Sequence, residues 1–400
     1  MMKMETLEGM AFLKNLNFNI CMQCGRCSGI CPLFSKSHLN PRKLMLEIAY
    51  TTTSIRTYPP LNIYERSDIW DCTTCSTCSS YCPRDAKPLD VVIELRSIFI
   101  ERGNIPRTLA DVLEAVYKYG NPWGLNPAKR TDWAQGLDVK YASSQNRNNL
   151  LYFVGCAASY DTRAQEIAKA MVKNLNTLGV NFSILGNEEM NTLGVNFSIL
   201  GNEEKCCGNE VYSLGEKGLF EDLKTYNLNL FTKYNVQEVI VTSPHCYNAL
   251  KNKYNLKDEP SVKHYTQYFA ELIDIGKLEF SKKIEKVVTY QDPCFLGKHN
   301  NIYDEPRRII ENIPGVTFKE FNKSRRQSVC CEGGGGRMWY DIPGGRLAEN
   351  RVKDAAEMGV EIVAVACPFC LLTIEDAIKT TGNEGRIQVK DITELISEAL

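Results

Sequence analysis

The sequence predicts a multidomain chain, a small α-helical domain followed by two α/β modules. Three observations point there. Cysteines crowd the first hundred residues in two matching runs, and the apolar residues around them repeat at helical spacing. From residue 150 onward one strand–helix–strand pattern occurs twice. The expected boundaries are 1–105 for the helical domain, 106–149 for a helical connector and linker, 150–286 for the first module and 287–400 for the second.

Composition narrows the function. A chain of 400 residues can hold two or three domains with real cores. Its 47 Lys and Arg balance 48 Asp and Glu, so no global field calls for nucleic acid. No apolar run reaches the ~18 to 20 residues of a bilayer span. The first residues lack the apolar core of a signal peptide. A cytoplasmic chain is expected, with any membrane contact made through a partner subunit. The 17 cysteines are too few for a disulfide scaffold and too clustered for scattered core thiols. In a reducing compartment such clustering means metal or redox work.

Residues 21–32 read CMQCGRCSGICP and residues 72–83 read CTTCSTCSSYCP. Both are C-x2-C-x2-C-x3-C-P, the run that binds a [4Fe–4S] cubane in two-cluster ferredoxins. Three thiolates wrap one cluster, and the fourth, before Pro, reaches the other. Cys21, Cys24, Cys27 and Cys82 are therefore assigned to one cubane, and Cys72, Cys75, Cys78 and Cys31 to the second. Zinc is the bland alternative, but two four-cysteine runs ending in Pro favour iron–sulfur. The stretches RKLMLEIAYTTTS and LDVVIELRSIFIERG show helical spacing. The domain resembles the α-helical two-cluster ferredoxins of fumarate reductase-like enzymes rather than the small β-rich type. With no substrate pocket in view, two adjacent clusters make a wire. RTLADVLEAVYKYG reads as a helix ending at Gly120, followed by a turn at NPWG, and the polar run 143–149 reads as a linker.

The other nine cysteines form a repeat. The second copy has Cys294, then 35 residues, Cys330-Cys331, then 35 residues, and Cys367-Pro-Phe-Cys370. The first has Cys156, Cys206-Cys207, 35 residues, and Ser243-Pro-His-Cys246, with Ser243 in the place of Cys367. LLYF, EVIV, VVTY and IVAV precede these motifs and read as buried strands, with TRAQEIAKAMVKNLNTLG and GRLAENRVKDAAEMG as helices. The cysteines then fall at the C-terminal ends of parallel strands, where open α/β sheets bind ligands. One spacing differs, because 49 residues separate Cys156 from Cys206. NTLGVNFSILGNEE at 176–189 recurs unchanged at 191–204, and removing this 15-residue duplication leaves 34. The extra copy repeats a helix end and a strand. It reads as a recent duplication or a sequence-assembly error rather than a functional element, with one NFSIL expected to form the core strand of the first module and the other to be extruded as a loop.

A Cys, a CC pair and a CxxC at these spacings resemble the cysteine-rich CCG domain of heterodisulfide reductases. The preceding two-cubane domain resembles the D subunit of those enzymes and the iron–sulfur subunits of glycolate, lactate and anaerobic glycerol-3-phosphate dehydrogenases. QDPCFLGKHN and CCEGGGGRMW look most like the D-like branch. The resemblance implies that a complete CCG module holds a non-cubane [4Fe–4S] cluster able to split a disulfide in two one-electron steps. Adjacent cysteines diverge, so they suit different irons of an opened cluster better than two corners of a cubane. Glycines would let the backbone approach it.

Cys294, Cys330, Cys331, Cys367 and Cys370 are the expected catalytic set. Cys156, Cys206, Cys207 and Cys246 could hold iron–sulfur, zinc or nothing. The family usually has Gly after the CC pair. Gly208 keeps it, but the second module has Glu332, which at positive φ costs about 1–2 kcal/mol and should lower the potential of a nearby cluster. Lys298 and His299 are a proton donor or a solvated loop, and His245 is a ligand, a donor or a core histidine. Arg337 and Trp339 line the pocket or merely pack, and His38 and His264 read as surface residues.

Two functions follow from the resemblance. One is a heterodisulfide reductase-like subunit fed by a flavoprotein or membrane cytochrome b. The other is an electron-transfer subunit for a flavin-dependent hydroxy-acid, glycerol-phosphate or acyl-CoA dehydrogenase. The chain carries no flavin or nucleotide signature, so either function puts the flavin on another chain.

Overall fold

A computed structural model of the chain describes residues 16–52, 66–143, 150–178, 197–257 and 259–400. The linker at 144–149 and most of the first duplicated copy lie outside the described residues.

The N-terminal part is helical, and between 16 and 105 the described residues include no strand. Each cysteine run folds alike. Gln23 and Gly25 in one, Thr74 and Ser76 in the other, take left-handed φ before a one-turn helix, Arg26–Gly29 or Thr77–Ser80. The two runs are joined by the helix Pro41–Thr52 and followed by Pro88–Glu101, which starts on a proline preset for the first helical turn. Leu95, Ile98 and Phe99 of the latter pack with Leu44, Ile48 and Trp70 in a separate small core. The connector helix Arg107–Tyr119 ends where the sequence predicts. Gly120 caps it at φ 67°, donating its N–H to the Val116 carbonyl.

Each module holds a four-stranded parallel sheet. The first contains β1 (Leu150–Phe153), β2 (Phe197–Ser198), β3 (Glu238–Val241) and β4 (Ser261–His264), in the order β2-β1-β3-β4. The second contains β5 (Val287–Tyr290), β6 (Thr317–Phe318), β7 (Ile362–Val365) and β8 (Gln388–Asp391), in the order β6-β5-β7-β8. The four strands expected from apolar runs are the two central pairs, β1 with β3 and β5 with β7. Helices cover both faces, which is why these strands are apolar throughout. The edge strands SVKH and QVKD escape sequence reading because they are short and alternate exposed with buried residues.

The modules pack reciprocally. Helix Gln165–Thr177 of the first lies against Ile392–Ala399 of the second, and Tyr265–Asp274 of the first against Asp304–Asn312 of the second. These are equivalent helices exchanged, as an approximate two-fold axis requires. Asn174 donates to the Thr393 carbonyl at 2.8 Å and Tyr265 to Asp391 at 2.8 Å. One continuous apolar core therefore runs through both sheets, from Leu151 and Ile240 to Val288 and Ile396.

The last residues of β4 and β8, His264 and Asp391, each cap the helix that follows. His264 is fully buried, which corrects the expectation of a surface residue. Its Nδ1 faces the Thr266 hydroxyl at 2.8 Å, and burial pulls its pKa down to about 3. His38 is exposed, as expected. Asp391 is also fully buried, with Oδ2 unpartnered, and burial pushes its carboxyl up to about 7.

The two duplicated copies divide their work. Asn176, Thr177 and Leu178 of the first end helix Gln165–Thr177, while Phe197 and Ser198 of the second form β2, a two-residue strand at the sheet edge rather than the expected core strand. In the second module the equivalent connection is four residues, 313–316, between Asn312 and Thr317. Removing 179–193 leaves the same four-residue connection in the first, Leu-Gly-Val-Asn. That deletion should change stability by less than about 1 kcal/mol, because shortening a loop alters closure entropy only slowly. Thermal unfolding of the deleted and full chains checks this, and loss of folding would make the insert structural.

Asp391 yields a second expectation. Its folded pKa lies above the unfolded value of 3.8, so its contribution to stability is lost as pH rises from about 4 to 7. Asp391→Asn keeps the cap and removes the charge. Its melting temperature relative to wild type should climb across that window and level off above it.

Candidate functional site

The eight N-terminal cysteines run from surface to interior. Cys24 is exposed, Cys21 and Cys31 are half-buried, and Cys75 is buried. Main-chain N–H groups point at sulfur, Thr74 to Cys72 at 3.4 Å and Ala86 to Cys82 at 3.3 Å. Cys31 feels Cys75 and Cys72 more strongly than its own run-mate Cys27, and Cys78 feels Cys31, so Cys31 sits with the second run. Burial pushes the Cys31 thiol up to about 12 and the Cys72 thiol up to about 11. Neutral thiols of this kind become thiolates when a bound cation displaces the proton. The donor set therefore fits a sulfur-ligated metal cluster.

The module cysteines stand at strand ends. Cys156 opens a short helix after β1, and Cys294 follows β5. Ser243 and Cys367 are the N-caps of helices Pro244–Asn252 and Pro368–Thr380, which follow β3 and β7. In each sheet this is the crevice between the two central strands, where the chain direction of the winding reverses. After each CC pair the backbone turns left-handed, at Gly208 (φ 79°) and Glu332 (φ 74°). Their N–H groups reach back to Cys206 at 3.4 Å and Cys330 at 3.3 Å.

All nine of these thiols are buried. In the second module they form a contact chain. Cys294 neighbours Cys330, Cys330 neighbours Cys331, Cys331 and Cys370 lie 3.1 Å apart, and Cys370 neighbours Cys367. The first module has Cys156, Cys206, Cys207 and Cys246 in the same succession. Among the described residues no three His, Cys, Asp or Glu groups close round one point as a single metal ion requires. The sulfurs are strung out along each crevice instead.

The two cysteine systems meet. Cys75 of the ferredoxin-like part lies in contact with Cys330 of the second module. The glycine run explains how they come so close. A Cβ on Gly335 would lie 2.5 Å from the Cys72 carbonyl, and one on Gly334 would lie 3.0 Å from that of Thr73. Two buried guanidiniums also face sulfur-bearing segments. Arg96 donates to the Cys72 carbonyl at 2.7 Å, and Arg130 lies 3.7 Å from Cys156 Sγ while paired with Glu204 at 2.5 Å. Cations so placed suit anionic clusters.

Comparisons with known proteins agree. Residues 17–86 match the 4Fe-4S dicluster domain, and 188–251 and 288–375 match the cysteine-rich CCG domain. The chain is 30% identical over 96% of its length to the D subunit of the dihydromethanophenazine:CoB–CoM heterodisulfide reductase of Methanosarcina barkeri, and covers 94% of that protein. The chain belongs to the D-like branch of the heterodisulfide reductase iron–sulfur proteins. It is also 30% identical to the probable iron-sulfur-binding oxidoreductase FadF of Bacillus subtilis and to the EtfAB:quinone oxidoreductase of Syntrophomonas wolfei. Those matches cover 96% and 99% of this chain but only 60% of each relative.

In this D-like iron–sulfur chain several side chains differ from expectation. Lys298 and His299 are not a solvated loop. Lys298 Nζ donates to Thr77 Oγ1 at 2.7 Å and to the Ser328 carbonyl at 2.6 Å, and His299 Nε2 donates to the Thr74 carbonyl at 2.9 Å. Both pin the second cysteine run to the second module. Trp339 packs edge-on against Trp123 and Phe369. His245 is buried on Glu210 Oε1 at 2.8 Å. Burial alone would lower its pKa, but the Glu210 carboxylate and contact with Cys367 push it up to about 10.

Glu332 takes the positive φ that a family glycine would, yet its charge does not stand free beside the thiols. Arg337 pairs with it at 2.5 Å, and Leu347 N–H donates to its other oxygen at 2.6 Å. The paired guanidinium offsets the carboxylate charge that was expected to lower the potential of a nearby cluster.

Sequence reading missed Arg96, Arg130, Glu204 and Glu210. Arg96 alone left a trace, as a charge on the apolar face of LDVVIELRSIFIERG.

Glu332→Gly tests the pair. The change relieves about 1–2 kcal/mol of backbone strain. It also strands Arg337 in the interior, which costs about 3–5 kcal/mol. Net destabilisation is expected in anaerobic urea unfolding, and Glu332→Gly combined with Arg337→Met should recover most of it.

Proposed function

We propose that this chain is a heterodisulfide reductase-like iron–sulfur oxidoreductase subunit with three working parts. Residues 1–105 would carry two [4Fe–4S] cubanes, and 150–286 and 287–400 would be the CCG modules. The second module would hold a non-cubane [4Fe–4S] cluster, whose chemistry when bound is to deliver single electrons to a disulfide.

The observation that carries this is the contact between Cys75 and Cys330. It supports Cys31, Cys72, Cys75 and Cys78 as the ligand set nearest the site, and Cys21, Cys24, Cys27 and Cys82 as the set nearest a partner. Lys298, His299 and the glycine run tie the two cysteine systems together at this junction, which would keep the electron path between them short. Cys294, Cys330, Cys331, Cys367 and Cys370 form the reducing centre. The first module lacks a thiol at Ser243, and a hydroxyl is a poor iron ligand at neutral pH. Its four thiols make a relay or a structural half that walls the pocket, with Phe369 of the second module reaching into its cavity.

A second reading has one observation in its favour. FadF and the EtfAB:quinone oxidoreductase match as well as the heterodisulfide reductase protein does. In that reading the chain only passes electrons between a flavoprotein and a quinone- or cytochrome-linked partner. Among the described residues no helix is long and apolar enough to cross a membrane.

Anaerobically purified protein should contain about 12 to 16 irons with matching sulfide, from two cubanes and one or two further clusters. Four irons or fewer, or stoichiometric zinc, would overturn both readings. Dithionite-reduced protein should cleave a small mixed disulfide. Cys330→Ala or Cys331→Ala should abolish cleavage and leave the cubane signals intact. Inert disulfides, with electrons accepted only from a flavin dehydrogenase, would select the second reading. Cys367→Ser copies the first module's defect and should lose the non-cubane signal. If it keeps that signal while Cys246→Ala loses it, the working site is in the first module.

A further inference from the structure

The repeat is asymmetric at one further place. Helices Pro244–Asn252 and Pro368–Thr380 begin in equivalent ways, yet their second residues differ, His245 in one and Phe369 in the other. The two helix starts face each other across the module boundary, with ring centroids 4.6 Å apart. His245 does not serve the thiols of its own module. Across the boundary it lies against Cys367 in the other.

The ring has no freedom to do anything else. Nδ1 is held by Glu210 Oε1 at 2.8 Å, which leaves Nε2 for the sulfur. Asn209 steadies the same carboxylate oxygen at 3.2 Å. Glu210 Oε2 accepts the Gly336 N–H at 3.0 Å, so the anchor is itself tied to the second module's glycine run. Phe295 covers the imidazole at a centroid distance of 4.3 Å. His245, Glu210, Asn209 and Cys367 are all buried. A carboxylate that fixes an imidazole so that its other nitrogen meets a ligand atom is the arrangement by which outer groups tune a metal centre.

We propose that His245 is a positioning residue of the second module's site, donating Nε2–H to Cys367 Sγ across the module boundary and thereby raising the reduction potential of the cluster that this sulfur ligates. The inference rests on the function proposed above. Its physical basis is that a hydrogen bond to a ligating sulfur draws off negative charge, which favours the more reduced, more negative state. The lost thiol at Ser243 and the gained imidazole two residues later then have one explanation. The first module stopped completing its own ligand set and became an arm of its neighbour's.

The test is a redox titration of the anaerobically purified full chain, followed by electron paramagnetic resonance and iron analysis. His245→Phe restores the residue of the second copy and removes the donor. The non-cubane signal should move to a more negative midpoint while both cubane signals stay put. His245→Gln keeps an N–H and should return part of the shift. Glu210→Gln frees the ring and should move the midpoint in the same direction as Phe. A fully loaded His245→Phe protein titrating at the wild-type potential overturns the inference. If that variant does not load, unchanged midpoints in both His245→Gln and Glu210→Gln overturn it equally. Failure of the parent function shows differently, as a wild-type chain without any non-cubane signal, and removes this inference with it.

Discussion

Arg96 spends every side-chain donor on main-chain carbonyls drawn from all three parts of the chain. It bonds Ile69, Trp70 and Cys72 in the ferredoxin-like part, Ser213 in the first module and Gly335 in the second, at 2.7 to 3.3 Å. The guanidinium is fully buried, and the negative groups it feels most are Cys72 and Glu210. Removing such a cation from water costs several kcal/mol even after relaxation. Five carbonyl oxygens offset part of that, and a negatively charged sulfur centre at Cys72 would offset more. Much of the remaining architecture adapts to this point. Gly215 has no room for a Cβ, which would lie 2.5 Å from the Ser97 nitrogen, and the glycine run must pass the Cys72 backbone closely enough to offer the Gly335 carbonyl.

The legible part of this fold is the part written in periodicity and spacing. Four central strands, the long helices and the cap at Gly120 follow from apolar runs and one glycine. The edge strands SVKH and QVKD were hidden because two buried positions in four residues make no pattern. The site divides the same way. Cysteine spacing located every thiol, since ligand spacing is a local property of the chain. What the spacing could not reveal is which thiols face each other, because Cys75 and Cys330 meet only through the docking of separate domains. Arg130 and Glu204 were invisible for that reason too. Their partner strand comes from a duplicated segment, and nothing in GNEE distinguishes the glutamate that clamps the N–H groups of Val154 and Gly155 from its neighbour.

Near-symmetry of packing coexists here with asymmetry of chemistry. The modules exchange equivalent helices and cap them at equivalent positions, yet one cap is an imidazole held neutral and the other a carboxyl held up near pH 7. Both choices avoid a fixed charge in a continuous core. The left-handed residue after each CC pair shows the same latitude. Gly208 has no alternative, since a Cβ there would lie 2.7 Å from Phe220, whereas Glu332 has room and a waiting guanidinium. The backbone shape is preserved in both copies, and the side chains on it are free to diverge.

The gradient of exposure along the cysteines bears on how this molecule ages. Oxidants reach sulfur by contact, and damage follows accessibility. Cys24 is open to solvent, while every thiol of both modules is sealed beneath rings and glycines. Under the proposed function, air or peroxide would therefore strip the outermost ligands first. With Cys24 in the set nearest the proposed electron donor, an injured molecule would lose its supply while the inner thiols were still whole, and it would fall idle before it could misfire.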